Sequence, residues 1–234
     1  MLSAFLWGGQ AASSLLIGYV VAGRPISERN VGLVMGLGAG ALIGAIAYEL
    51  VPESALAGPL TAVVFLLGAL AFFIGDWIVD RRGGAERTDI TAATSGSGAA
   101  IFVGTLLDNI PESIVLGMSL GLGGAINVAF LVAVFISNLP EGVAGTLNLA
   151  AAGVPRPRVL AMWIVLVLVS AACAALGYAA VGALSAADGR LAQAFAAGAM
   201  LTMLADAMMP EAFEHGGKVV GLATVLGFML AALL

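Results

Sequence analysis

Eight apolar runs, at roughly 2–22, 31–52, 59–80, 97–121, 126–150, 158–182, 190–210 and 217–234, follow one another with gaps too short to hold a soluble domain. Each approaches the ~20 residues that carry a helix across the hydrocarbon core of a bilayer. A chain crossing lipid must satisfy its backbone hydrogen bonds internally, and runs of this length do so as helices. The expected fold is therefore an all-α polytopic membrane protein, a single transmembrane domain over 1–234 with the bilayer as its first partner. Hydrophobic residues make up 61% of the chain and charged residues 10%, well outside soluble composition. Met1-Leu2-Ser3-Ala4 offers no basic stretch ahead of the first run, which is read as a retained span rather than a signal peptide.

The charges that remain are unevenly placed. Arg24 and Arg29 fall in the first gap, Arg81, Arg82 and Arg87 in the third, Arg156 and Arg158 in the fifth and Lys218 in the seventh, leaving only Arg190 for the other side. By the positive-inside bias the odd gaps are cytoplasmic and both termini lie outside; the membrane is expected to be a bacterial or archaeal plasma membrane, as the family resemblance given below implies. The third gap, rich in Arg, Gly, Ser and Thr, reads as a flexible cytoplasmic loop over 81–97, with Asp76 and Asp80 at its edge. The formal charge of −5 sits in loops and buried clusters, so nucleic acid is not an expected partner. The single cysteine, Cys173, rules out an intramolecular disulfide and a cysteine-rich metal site.

Runs four and five carry the chemistry. Asp108-Asn109-Ile110-Pro111-Glu112-Ser113 is echoed by Ser137-Asn138-Leu139-Pro140-Glu141-Gly142. On a helix Asp108 and Glu112 are i,i+4 neighbours, and Asn109–Glu112 and Asn138–Glu141 are i,i+3 neighbours, so each set shares one face. Each proline also deprives the carbonyl four residues earlier, Leu107 or Ile136, of its donor. If the two helices are antiparallel neighbours, the motifs lie ~18–25 Å from the turn at Gly121–Asn127 and meet near mid-membrane. Unpaired carboxylates there cost several kcal/mol each, which protons, a basic partner or a cation can offset. Neither run holds Lys, Arg or His, so a divalent cation is the simplest expectation, with uptake falling as protons compete at low pH.

Four of the eight prolines precede a glutamate: Glu53, Glu112, Glu141 and Glu211. They fall in runs two, four, five and seven, as expected of an inverted repeat of three spans, a central pair and three spans. Glu49 and Glu53 stand at the outer end of run two, as an entrance for cations or as interfacial residues reaching water. Asp206, Glu211, Glu214 and His215, the only histidine, hold the same position at the inner end of run seven, as an exit or as solvated groups. In run two, Gly32, Gly36, Gly40 and Gly44 form a stripe for close helix packing.

These residues resemble the ZIP family of divalent-metal transporters, whose fourth and fifth helices carry Asn-x-Pro-Glu motifs around a central metal site. The resemblance covers the whole chain and implies eight helices in the 3+2+3 inverted-repeat arrangement, with transport into the cytoplasm rather than an enzymatic reaction. The transported ion is of the zinc, iron or manganese class, there is no permanent cofactor, and a homodimer is in view. Residues matching the family's ligands or site lining are Asp108, Asn109, Glu112, Ser137, Asn138 and Glu141. This chain departs from the family pattern at Asp108 and Ser137, where His is common, and at Asn138, where some members have Asp. Ser113 replaces a Gly, Val159 to Gly182 lacks an acid, and the third loop lacks histidine. An oxygen-rich, single-metal site less selective for zinc is the expectation.

Other readings stand beside this one. The acids could form a protonated structural cluster, and the asparagines could bond helix to helix. A degenerate member that senses or scaffolds without transporting fits the same residues. An intramembrane hydrolase using paired carboxylates has thinner support, since no Gly-x-Ser-x-Gly or His-Glu-x-x-His occurs, and no Walker loop exists for an ATP-driven pump.

Overall fold

In the computed structural model the described residues are 1–51, 58–85, 87–89, 91, 97–123, 125–183 and 186–234, and every element they form is helical. Seven helical runs are long and apolar enough to cross a membrane: α1 (Leu2–Val21), α2 (Glu28–Leu50), α3 (Pro59–Gly84), α4 (Gly98–Leu122), α5 (Val128–Ala151), α6 (Arg156–Ala183) and α7 (Asp188–Leu233). The first six match the first six apolar runs to within a few residues. Runs seven and eight are joined, because the polar stretch Met209–Gly216 stays helical and only a break at Gly217, with φ of 66°, separates it from Val220–Leu233.

Local chemistry sets the helix ends. The Ser27 hydroxyl accepts from the backbone N–H of Asn30 at 3.3 Å, and Asn127 Oδ1 accepts from Phe130 N–H at 2.8 Å, capping α2 and α5. Pro59 stands in the first turn of α3, where its missing N–H has no partner to lose. α4 and α5 continue through Pro111 and Pro140. By contrast, α2 and α7 widen into π-turns at Ile46–Leu50 and Leu204–Met208, each just ahead of a proline, Pro52 and Pro210. Pro52 and Glu53 themselves lie outside the described residues.

Four helix pairs are clamped by glycines facing each other's backbone. A Cβ on Gly40 of α2 would overlap the Thr224 carbonyl of α7, and one on Gly227 would overlap the Leu37 carbonyl of α2. The same reciprocity holds between Gly68 of α3 and Gly198 of α7, between Gly117 of α4 and Gly177 of α6, and between Gly18 of α1 and Gly142 of α5. The whole stripe Gly32, Gly36, Gly40 and Gly44 faces the segment Ala212–Ala231 of α7. In apolar solvent, helices associate through close packing rather than hydrophobic exclusion, which is why small residues hold these contacts. α5 and α2 are the most buried runs, while α3, α6 and the end of α7 present Leu66, Leu70, Leu168, Leu176, Leu222 and Leu226 outward, as lipid-facing helices would.

One end of the bundle gathers the basic connections. Gly23 meets the Arg156 side chain, the Tyr19 hydroxyl donates to the Arg156 carbonyl at 3.4 Å, and Gly32 packs against Gly216 beside Lys218. This grouping matches the sequence assignment of Arg24, Arg156 and Lys218 to one side and is called the basic end below.

Candidate cation site

α4 and α5 bring both Asn-x-Pro-Glu motifs into the interior. Asn109, Glu112, Asn138 and Glu141 are each at most 3% exposed, and Ser137 is fully buried. Among the described residues, Asn109 Oδ1, both Glu112 carboxylate oxygens, both amide atoms of Asn138 and Glu141 Oε2 make no well-formed hydrogen bond, although the Asn138 side chain stands near enough to Glu112 to interact with it. The Asn109 side chain is oriented by its Nδ2, which donates to the Thr105 carbonyl at 3.0 Å and leaves the oxygen as the free atom. The Ser137 hydroxyl donates to the Val134 carbonyl at 3.0 Å, so it too can offer only lone pairs, and Gly38 backs it closely enough that a Cβ there would lie 2.7 Å from Ser137 Cα. Glu112 and Glu141 each lie within electrostatic reach of Asp108, and Glu112 within reach of Glu141. Buried polar atoms are almost always paired, so these oxygens are available to a proton, a water or a hard cation.

Asp108 differs, and here the expectation from sequence is corrected. The argument that the central acids lack a basic partner holds for Glu112 and fails for Asp108. Arg87, placed by sequence in a flexible loop, is 3% exposed, with Nε 2.9 Å from Asp108 Oδ2 and one terminal nitrogen 3.2 Å from Oδ1. The guanidinium also contacts Asp76 and reaches Asp80 at 3.2 Å. Burial alone would push the guanidinium pKa down, but Asp108, Asp76 and Asp80 outweigh it and hold it above its usual value. The physical reason for the correction is that buried acids on α3 and α4 draw in the nearest available cation, even one on a connection rather than on a span.

The connection carrying Arg87 is anchored at a second point. Asn148 Nδ2 of α5 donates to the Asp89 carbonyl at 2.6 Å, and the Asp89 side chain accepts from Thr91 N–H at 2.7 Å. Asp89 thereby joins Glu211 and His215 of α7, where His215 Nε2 lies 2.8 Å from Glu211 Oε1 and 3.9 Å from Asp89 Oδ1. One ligand atom from each of the three falls within 4.8 Å of the others, a group able to hold a metal ion. Glu28 Oε2 lies 3.9 Å from His215 Nδ1 on the other side of the ring.

The remaining expected residues are dispersed. Of the outer pair, Glu49 is half-buried in the π-turn of α2, and Glu53 lies outside the described residues. Asp206 is exposed and stands against Asp76 rather than with His215. Glu214 is exposed, so of the four inner residues only Glu211 and His215 are brought together. Sequence reasoning missed Arg87 and Asp89 as site residues. The available signal was the pair Asp76 and Asp80, two acids one turn apart near the end of an apolar run, for which no cation had been assigned.

Fold and site together define an all-helical bundle of the integral membrane class, built around an occluded, oxygen-rich acidic centre. No known family model matches the chain, and no curated protein is similar enough to count as a match.

Proposed function

We propose that the chain is a transporter of the ZIP kind, carrying a divalent transition-metal cation of the zinc, iron or manganese class across the membrane through Glu112, Glu141, Asn109 and Asn138. The observation that carries this reading is the set of buried oxygens on those four residues that make no well-formed hydrogen bond and no ion pair among the described residues. Oxygen donors without thiolate or imidazole suit hard or borderline divalent ions, with raw affinity still rising toward zinc. One ion at the centre matches the donors left free once Asp108 is paired with Arg87.

The chain crosses eight times in the 3+2+3 arrangement. At 46 residues, α7 is ~69 Å long if straight, about twice the thickness of a hydrocarbon core, and Gly217 marks its reversal. The glycine clamps support the repeat: exchanging spans two and seven, and three and eight, turns the Gly40–Gly227 pair into the Gly198–Gly68 pair. Gly40 stands twelve residues before Pro52 and Gly198 twelve before Pro210, each followed by a π-turn and a glutamate.

The cation enters from the end opposite the basic residues, past Glu49 and Glu53. It exchanges its water for Glu112, Glu141 and the asparagine oxygens, then leaves by Asp89, Glu211 and His215. With the basic end inside, a membrane potential of about 100 mV favours this direction by about 4.6 kcal/mol for a divalent ion, enough without ATP. Purified protein in liposomes under an inside-negative potential should accumulate Mn²⁺ or Zn²⁺, and Glu112→Gln should not. Equal accumulation by empty and loaded liposomes would overturn the reading. Orientation is tested with single cysteines: one at Ser27 should resist an impermeant thiol reagent added outside intact cells, and one at Gly182 should react.

A further inference from the structure

We propose that Arg87 is a tethered cation that competes with the divalent cargo for Asp108, so that Asp108 joins the Glu112–Glu141 site only when Arg87 withdraws. The inference rests on the transporter reading and adds to it a residue, on a connection rather than a span, that sets metal affinity and closes the path toward the basic end.

Geometry carries the argument. Asp108 lies one helical turn from Glu112 toward the basic end, the end at which His215 stands. The Arg87 guanidinium already grips Asp108 with two nitrogens, at 2.9 and 3.2 Å, and its charge also reaches Glu141. A monovalent cation fixed there repels a divalent one and withholds a carboxylate from it. Three acids, Asp76, Asp80 and Asp108, surround this one guanidinium, so the cluster keeps excess negative charge that a second cation can use.

The seat is built for this side chain. A Cβ on Gly104 of α4 would collide with Arg87 Cδ and lie 2.9 Å from Nε, so the glycine provides the groove in which the arginine stem lies. The segment also has the means to leave. It follows the left-handed Gly83, with φ of 94°, and among the described residues its other anchors are polar: the Gly84 carbonyl at 3.4 Å from Arg87, Asn148 on the Asp89 carbonyl, and His215 3.9 Å from the Asp89 side chain. Withdrawal breaks ion pairs and hydrogen bonds without unwinding a spanning helix.

The test is Mn²⁺ binding to purified protein, followed by electron paramagnetic resonance, in wild type, Glu112→Gln, Arg87→Gln, Arg87→Lys, Gly104→Ala and the double variant Arg87→Gln/Asp108→Asn. Arg87→Gln should tighten binding by about tenfold or more, because a positive charge leaves and a carboxylate is released. Gly104→Ala, which keeps every charge and fills the groove, should move affinity the same way by a smaller factor. The double variant should return it toward wild type, and Arg87→Lys should stay near wild type. An arginine that merely neutralised buried aspartates would leave Mn²⁺ affinity unchanged in both Arg87→Gln and Gly104→Ala, and that result overturns the proposal. If wild type binds and Glu112→Gln does not, the transporter reading survives such a result. If no variant binds Mn²⁺, both fail.

Discussion

Two acidic clusters lie one helical turn apart on α4, and they meet the cost of buried charge in different ways. At the Asp108 level, Asp76, Asp80 and Asp108 surround Arg87, and each acid has a named partner. At the Glu112 level, Glu112, Glu141 and two asparagines hold buried oxygens without a well-formed hydrogen bond among the described residues, and no described cation pairs with Glu112. In the first cluster every acid is paired within the protein, although three carboxylates share one guanidinium. The second is left open, and a site that the chain leaves uncompensated is one that something from outside can fill. The difference teaches that acid content alone does not mark a candidate cation site; which acids stay unpaired separates one from an internal ion-pair cluster.

The largest effect expected from this contrast is on transport. Glu112→Gln and Glu141→Gln should each reduce metal uptake into liposomes by about a hundredfold or more, since each removes a charge that offsets the cation in a low-dielectric site. Near-normal uptake by either variant at low metal concentration would erase the distinction between the clusters.

Stability should then separate the clusters with opposite sign. Arg87→Ala strips the paired cluster of its one cation among the described residues and should cost about 3–5 kcal/mol, the usual penalty for breaking a buried pair. Glu112→Gln should cost nothing measurable or raise the melting temperature of metal-free protein, because an unpartnered carboxylate is replaced by a neutral amide. Thermal melts in detergent check both, and a large loss in Glu112→Gln would show that the open cluster is structural.

A smaller effect is expected at the basic end. His215→Ala or Asp89→Asn should slow uptake by up to about tenfold without abolishing it, because on the proposed path these groups would receive the ion after the central site and contribute one ligand each. A complete loss would move the principal site from the helix centres to this mouth. Smallest of all, Glu214→Gln should leave uptake within about twofold of wild type, an exposed acid outside the ligand group contributing only through screened charge. A strong effect there would show that the exit uses Glu214 in place of Asp89.

Much of the architecture was legible in the order of residues. Long apolar runs could only become helices, and the grouping of Arg24, Arg156 and Lys218 at one end followed from their gaps. The motif pair was legible because i,i+3 and i,i+4 spacing fixes a face on any helix, whatever surrounds it. Run eight was less so. Whether Glu211 to Gly216 unwinds between runs seven and eight depends on contacts such as Gly32 against Gly216, which no local pattern encodes.

The sequence by itself determined the helices, the central carboxylates and the asparagines beside them, because those follow from hydrophobic length and helical period, which act over a few residues. Only the tertiary structure decided which acids remain unpaired. Arg87 is 21 positions from Asp108 and Asp89 is 59 from Asn148, and both pairings arise where α3, α4, α5 and α7 converge on a connecting segment. Electrostatic compensation in a bundle is settled by distance in space, and a charge in a loop is free to satisfy any acid that the folded chain brings within reach.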